Sequence, residues 1–567
     1  MNIFFLTLFI FLNYNALAQT QRETRAVWVA TNFHLDWPPQ TFNVAKQKSE
    51  LQDIFSDINN KKLNTIYFQV RSSGTVMFNS SYEPFSPYLT GKTGEKPSYD
   101  PLKLAIKIAH KKGLELHAWF NVIRCFSGTE KEILSNPNHI ANKHPDWVIK
   151  YSKNGKSSLW LDPGLPAVRN YLINVIAEAV SKYDLDGIHL DFLRYPGENF
   201  NDDFSFNLYG NGKDRAEWRR NNLTKFLAQL VKTIREIKPY VKIGVTPFGI
   251  YKNLTHATGT QSYSNVYQDT RLWLKLGYID YAVPQIYWNI SDNPQFEVLA
   301  KDWAQNSFNK NIVLGIAAYK PEVKSELNDL IKYSRKVNAA GIAFFRYGNI
   351  KYYNFKLFNN RAYPATLPGL INRKPLPPKN LEAIVSSTSL NQIKLKWELP
   401  KQNIVSDSVK YYALYKFDKP NSHFSATNLY DIFEANKTSV ILSIKVPRQI
   451  KYYFALKSVD KFWNESEKSS NIVEAALPGM RNIAVQMKIF NKPILIKSID
   501  NTYKMMMYSN AKDSIQVLAS NGDLSVKIFS LKILRGKNIF TLPNNLSNYS
   551  SLEIKYISNG QKVKLKL

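Results

Sequence analysis

Residues 186–196 read DGIHLDFLRYP, from Asp186 to Pro196, and the fold turns on how this stretch is read. Ile188, Leu190 and Phe192 recur with period two, as the side chains on one face of a strand do, and His189 and Asp191 share the other face. Burying an uncompensated charge costs several kcal/mol. Asp191 is therefore either half of a structural pair or a working acid.

Seven more β-branched and aromatic runs flank it: TRAVWVA (24–30), TIYFQV (65–70), ELHAWFN (115–121), KIGVTPF (242–248), YAVPQIYW (281–288), IVLGIA (312–317) and GIAFFRY (341–347). Amphipathic segments alternate with them, among them DPLKLAIKIAHKKG (100–113), PAVRNYLINVIAEAVSKY (166–183) and NNLTKFLAQLVKTIREI (221–237). Strand-helix alternation of this kind predicts an α/β fold, and eight units over residues 19–370 predict a (β/α)8 barrel of the TIM type. A doubly wound open sheet fits less well, because the first strand is not followed by the Gly-rich turn of a dinucleotide fold; no cofactor is expected.

The proline-rich stretch RKPLPPKN (373–380) marks a linker. From 376 to 477 the pattern turns to alternating strands, IKLKWEL, KYYALYKF, SVILSIKV and KYYFALKSVD, with no helical stripe. This β-sandwich resembles a fibronectin type III domain, with Trp397 at the position of its core tryptophan and Tyr452–Leu456 like its tyrosine-bearing late strand. Residues 478–567, with QMKIF, SIQVLA, SLEIKYI and KVKLKL, predict a further small β-domain.

The chain opens MNIFFLTLFIFLNYNALAQ, an apolar run from Ile3 to Leu12 followed by Ala16-Leu17-Ala18, the pattern of a signal peptide over residues 1–18. The expected location is periplasmic or secreted, in the cell envelope. No later stretch has the roughly 18 consecutive apolar residues of a membrane span. Cys125 is the lone cysteine, so no internal disulfide can form. A net charge of +30 favours anionic polymers such as an acidic cell wall. Lysine is scattered through every segment and no nucleic-acid module is present, which argues against a nucleic-acid partner.

Reactive groups of such a barrel gather at the C-terminal ends of the strands. Asp191 lies at that end of the fourth strand, whereas Asp186 lies at the opposite rim, where a turn or capping role fits. The inward series of other strands carry Tyr67, Gln69 and Arg71; His117, Trp119 and Asn121; Gln285 and Tyr287; and Arg346. A purely structural barrel would be lined mainly by Val, Ile and Leu. Hydrogen-bonding groups and flat rings in their place point to a polyhydroxylated ligand, with Trp37, Trp119, Tyr195, Tyr287 and Trp288 as ring faces for sugars. Glycoside hydrolysis uses two carboxyl groups. Asp162 and Asp36, in loops on the same side, are the partner candidates for Asp191, and Asp269 is a further one; each equally fits a cap or turn.

The runs RAVWVATNFHLDWPP, YLTGKTGEKPSYDPLKLAIKIAHKKGLELHAWFN, WLDPGLPAVRNYL, DGIHLDFLRYP, DTRLWLKLGYIDYAVPQIYW and GIAFFRY resemble the glycosyl hydrolase-like 10 family over most of residues 24–350. The resemblance implies a barrel glycoside hydrolase acting on peptidoglycan glycan strands stripped of their stem peptides, with Asp191, Asp162, Asp36, Asn121, Arg124 and Gln285 at family motif positions. Two departures stand out. Asn121-Val122-Ile123-Arg124 replaces Asn-Pro-Tyr-Arg, and Phe192 follows Asp191 where many relatives have a second aspartate. The latter leaves Arg194 nearby, expected to favour the ionised form of Asp191. Glu83 and Glu198 are loop acids able to substitute for the missing partner. Two other functions compete: a metal-dependent polysaccharide hydrolase or deacetylase in which His117, His189 and Asp191 hold a cation, and a carbohydrate-binding protein without turnover.

Overall fold

Eight parallel strands close on themselves: β1 (Thr24–Val29), β2 (Thr65–Ser72), β3 (Glu115–Asn121), β4 (Gly187–Asp191), β5 (Lys242–Val245), β6 (Tyr281–Ala282), β7 (Asn311–Ile316) and β8 (Gly341–Phe344). Each pairs with its sequence neighbours, and β8 pairs with β1 through Thr24 opposite Gly341, which leaves no open edge. The eight runs read from the sequence are these eight strands. In this computed structural model the described residues are 22–128, 131–367, 374–385, 392–400, 409–420, 422–444, 451–477, 493–497, 503–509, 512–521, 524–534, 536–542, 546, 549–558 and 560–566. The expected signal peptide (1–18) and the strand QMKIF (486–490) lie outside them.

The helices start where the sequence supplies caps. Asn43 accepts from the Lys46 amide at the head of α1 (Val44–Asn60), and Asp100 accepts from Lys103 at the head of α2 (Pro101–Lys111), where Pro101 occupies the first turn. Asp214 caps the longest helix, Arg215–Ile237, in the same way. The outward-facing residues Val27, Val29, Ile66, Phe68, Leu116, Ile188 and Leu190 are buried with the helices' apolar stripes in one core outside the barrel.

The alternate, inward-facing residues fill the inside, and they are not the aliphatic layers common in such barrels. Trp28, Tyr67, Trp119 and Tyr281 pack there with Val283 and Val313. The His189 ring stacks on Tyr67 at 4.0 Å, faces the Trp28 indole N–H at 3.0 Å through Nε2 and the Tyr281 hydroxyl at 3.2 Å through Nδ1. His117 binds the same hydroxyl at 2.7 Å and Glu115 at 3.2 Å, and Lys242 closes on Glu115 at 2.6 Å. Glycine at 187 and 244 makes room: a Cβ would lie 2.6 Å from His117 and 2.0 Å from the Tyr281 ring.

After β3 the chain inserts a three-stranded antiparallel sheet, Arg124–Ser127, Val148–Lys153 and Lys156–Leu161, on the C-terminal side of the barrel. A second compact unit begins at Lys374. It holds antiparallel sheets, one of Lys379–Ile384, Gln392–Glu398 and Ser439–Ser443, and another containing Val409–Phe417, Lys451–Asp460 and Val473–Ala476. Trp397 is buried there against Tyr412. Further antiparallel strands between Ile494 and Lys566 enclose Met505, Met507, Val517 and Leu552. Among the described residues no helix is long and apolar enough to cross a membrane.

Candidate active site

Asp191 is the last residue of β4, and its carboxyl is buried at the C-terminal rim. The next residue, Phe192, takes a left-handed backbone (φ 53°), which turns its amide back onto Asp191 Oδ1 at 2.7 Å. That conformation is uncommon for an aromatic residue and is held by what surrounds the ring. The Arg124 guanidinium carbon lies 3.6 Å from the ring centroid and that of Arg194 4.7 Å. Arg194 also covers Phe248 at 4.5 Å.

Burial raises the Asp191 pKa above the ordinary carboxyl range, and the pull of Arg194, the Phe192 amide and Arg124 in the other direction does not overcome it. Arg194 does favour the ionised form, as expected, but desolvation is the larger effect and the net shift is upward. Burial also lowers both arginines to about 10, opposed in each case by the charge of Asp191.

Asn121 lies beside Asp191 in register on β3 and donates to Ser72 Oγ at 3.3 Å, while its Oδ1 is buried with no hydrogen-bond partner. The Trp119 indole N–H bears on the Asp191 carboxyl but closes no hydrogen bond of ordinary geometry. A buried polar atom left unpaired costs about 1–3 kcal/mol, so native chains keep few of them. The Trp119 N–H and the Asn121 Oδ1 are two such atoms in one layer of the rim. Alongside lies a cleft of about 790 Å³, lined by Phe248, Gln285, Tyr287, Trp288, Tyr319 and Glu198 among others. Burial, and then the nearby Asp191, raise the Tyr287 pKa well above its usual value, so its hydroxyl remains a donor facing that acid.

The structure thus brings together Asp191, Trp119, Asn121, Arg124, Arg194, Gln285, Tyr287 and Trp288. It uses the remaining candidates elsewhere. Trp37 is fully buried outside the barrel, against Phe68, with its N–H on the Gln47 carbonyl at 2.9 Å. Tyr195 is fully buried among Phe200, Tyr267 and Arg219. Neither ring has a free face for a sugar. Gln69 Oε1 accepts the amides of Thr31 and Asn32, both at 3.0 Å, and shapes the first loop. Arg71 is locked on Glu83 by two bonds of 2.6 and 2.7 Å and donates to the carbonyls of Asn121 and Val122, which supports the end of β3 from behind. Glu83 is spent in that pair.

Asp36 accepts from the Ala30 amide at 2.8 Å, the Gly348 amide at 2.7 Å and Arg346 at 2.5 Å. Arg346 also donates to the Leu35 carbonyl at 2.6 Å, so the two residues tie the loops at the seam between β1 and β8. Asp162 makes a turn: its Oδ1 accepts the Gly164 amide at 2.8 Å, next to Ser205 and Asp202. Burial raises its pKa to about 6, opposed by Ser205 and the Gly164 amide. Asp269 caps a short helix at Leu272 and receives the Tyr251 hydroxyl at 2.7 Å. Asp186, at the opposite rim, holds the Leu116 amide and His110. Glu198 is the carboxylate among the cleft-lining residues; it is exposed, with Asn265 bound at 2.6 Å.

For the metal reading, both ring nitrogens of His117 and of His189 already have partners inside the barrel, and among the described residues no three His, Cys, Asp or Glu side chains come together to hold an ion.

A closed (β/α)8 barrel with a buried acid and unspent donors at its C-terminal rim defines a barrel enzyme that works at that rim. The chain belongs to the glycosyl hydrolase-like 10 family, whose model matches residues 23–333, and it is a glycoside hydrolase. It is 32% identical over 498 residues to Glycosyl hydrolase YngK of Bacillus subtilis (strain 168), covering 82% of this chain and 96% of that one. It is 36% identical over 331 residues to Glycosyl hydrolase DigH of Escherichia coli (strain K12), covering 53% of this chain and 74% of that one. Among solved structures, the PgaB (BpsB) glycoside hydrolase domain from Bordetella bronchiseptica matches with a TM-score of 0.44 and 13% identity over 58% of this chain and 96% of that one.

Proposed function

We propose that the protein acts in the cell envelope on peptidoglycan glycan strands from which the stem peptides have been removed, and that Asp191 is the carboxyl group at the scissile bond. The observation that carries this reading is the Asp191 carboxyl itself, buried beneath the unpaired Trp119 N–H and beside a cleft lined with rings and amides. A carboxyl that keeps its proton above the ordinary range suits donation to the leaving oxygen. The second carboxyl is assigned to Glu198, which lines the same cleft and is exposed enough to activate a water molecule. Asp162 is the other candidate with its proton held to about pH 6, and Asp36 the third, tied into the loop seam. The apolar N-terminal run and the positive net charge support an envelope location. The fibronectin-like segment is read as a spacer for the catalytic barrel.

Incubation of the purified protein with peptide-free glycan strands, followed by mass spectrometry of the products, tests this. Wild type releases shorter oligosaccharides. Asp191→Asn lowers the rate about 10³-fold or more, the loss expected when an acid catalyst is removed from a site that still binds. Glu198→Gln loses at least about 10²-fold on the same argument, while Asp162→Asn and Asp36→Asn keep turnover. Full activity of Asp191→Asn would remove Asp191 from the chemistry, and no release by wild type would remove the substrate.

A further inference from the structure

We propose that Arg124 and Arg194, both set against the Phe192 ring, form a subsite for a carboxylate carried by the sugar bound beside Asp191. This rests on the reading of the cleft as a glycan site and adds which side chains read the sugar's carboxylate.

Five arginines of the barrel close on an acid: Arg25 and Arg335 on Glu23, Arg71 on Glu83, Arg219 on Asp202 and Arg346 on Asp36, at 2.5–2.7 Å. Arg124 and Arg194 do not: among the described residues neither side chain makes an ion pair or a hydrogen bond, although Asp191 is close enough to act on both. Two guanidinium groups that repel each other therefore face one acid, and among the described residues no ion pair neutralises the excess positive charge at this rim.

What holds them is aromatic surface. Arg124 lies on Phe192, and Arg194 lies on Phe192, Phe248 and, at 5.5 Å, Trp160. Stacking fixes the plane of a guanidinium without consuming its N–H groups, so the forks remain aimed and open. The left-handed backbone at Phe192 is the strained feature that puts the ring there. Phe248, under Arg194, also lines the cleft, so the open donors lie at the edge of the space where a sugar would sit. A planar carboxylate is the anion that such forks bind with paired hydrogen bonds.

Two kinds of sugar carry one: a uronic acid, and a sugar bearing an ether-linked lactyl group. In the second kind the carboxylate is free only when no peptide is attached. An amide in its place has no charge and one acceptor oxygen instead of two, so the subsite would distinguish stripped strands from peptide-bearing ones.

The test compares peptide-free strands with the same strands after their carboxylates have been amidated, and adds hyaluronan as the uronate arm. For wild type, kcat/KM on free strands should exceed that on amidated strands by about 10- to 100-fold, the range for hydrogen bonds to a charged group. Arg194→Gln and Arg124→Gln should each bring the ratio toward 1, chiefly through KM. Hyaluronan binding that competes with the strands would assign the subsite to sugar carboxylates in general; its failure to compete would restrict it to the lactyl kind. A wild-type ratio of 1, or a ratio unchanged in both arginine variants, overturns the proposal. Binding of free and amidated tetrasaccharides to Asp191→Asn, measured by calorimetry, separates it from the hydrolysis reading. A tenfold preference for the free form there supports the subsite even if turnover of strands fails, and equal affinity overturns the subsite even if turnover succeeds.

Discussion

Asp162 and Asp191 are both buried carboxyls at one rim, the first in a loop and the second ending β4, and in both burial raises the pKa, yet their neighbours give them different work. Asp191 is bonded to the next amide and otherwise surrounded by donors that reach it without closing. Asp162 is consumed by a turn. Its raised pKa has a sign that can be checked. With a folded value of about 6 and an unfolded value near 3.9, the folded protein holds the proton more tightly. Its contribution to stability is most favourable below about pH 4, declines as pH rises through 6, and is constant above. Asp162→Asn keeps an oxygen to accept the Gly164 amide and removes the buried charge. At pH 8 it should therefore stabilise the protein by about 1–3 kcal/mol, with no gain at pH 4. Urea unfolding at the two pH values measures this. A loss at pH 8 would mean that the ionised carboxylate has a partner the turn does not account for.

At the scale of the strand, parity in the sequence identifies which side chains point into the barrel, and all eight strands were legible from it because strand side chains alternate strictly. Parity does not reveal whether an inward group is already bonded. Tyr67, His117 and His189 share the inward series with Trp119, Asn121 and Asp191, but the ring nitrogens of both histidines are bonded, to Tyr281, Trp28 and Glu115, whereas the Trp119 N–H and the Asn121 Oδ1 are buried without a partner. That distinction depends on what lies on strands up to about 160 residues away in sequence, as with Trp28 and His189, so no local pattern carries it. Loops lack even the parity signal. Trp37 and Tyr195 turn outward into apolar core, whereas Phe248 and Glu198 reach the cleft. The β2–β3 pair illustrates the supporting role of spent groups. Arg71 leaves β2, pairs with Glu83 and holds the two carbonyls that end β3, just where Asn121 meets Asp191. Breaking a buried pair of this kind leaves an uncompensated guanidinium, so Glu83→Gln should destabilise the protein by about 3–5 kcal/mol. Replacing both partners at once, Arg71→Met with Glu83→Leu, should cost less than the single change. Equal losses in thermal melts of the single and double variants would show that packing, not charge, supports the rim.

For the whole molecule, 75 lysines and arginines against 45 acids leave a charge of +30, and most of it acts at a distance from the site. Long-range attraction of this kind raises the local concentration of an anionic polymer and is screened by salt, the Debye length falling from about 20–30 Å near 10–20 mM to about 8 Å at 150 mM. The two arginines on Phe192 differ in that they are part-buried at the rim and meet their ligand at contact distance, where screening is weaker. The two contributions should therefore separate. Between about 20 and 300 mM salt, KM for peptide-free strands should rise about tenfold while kcat changes less than about twofold, because the net charge governs encounter and not the bond-breaking step. Amidated strands, having lost their charge, should show a KM that hardly moves over the same range. The preference of wild type for free over amidated strands should then shrink with salt but stay above 1, the residue being what Arg124 and Arg194 read at contact, and in Arg194→Gln it should fall to 1 at high salt. A preference that vanishes in wild type as completely as in the variant would assign the whole of the selectivity to net charge.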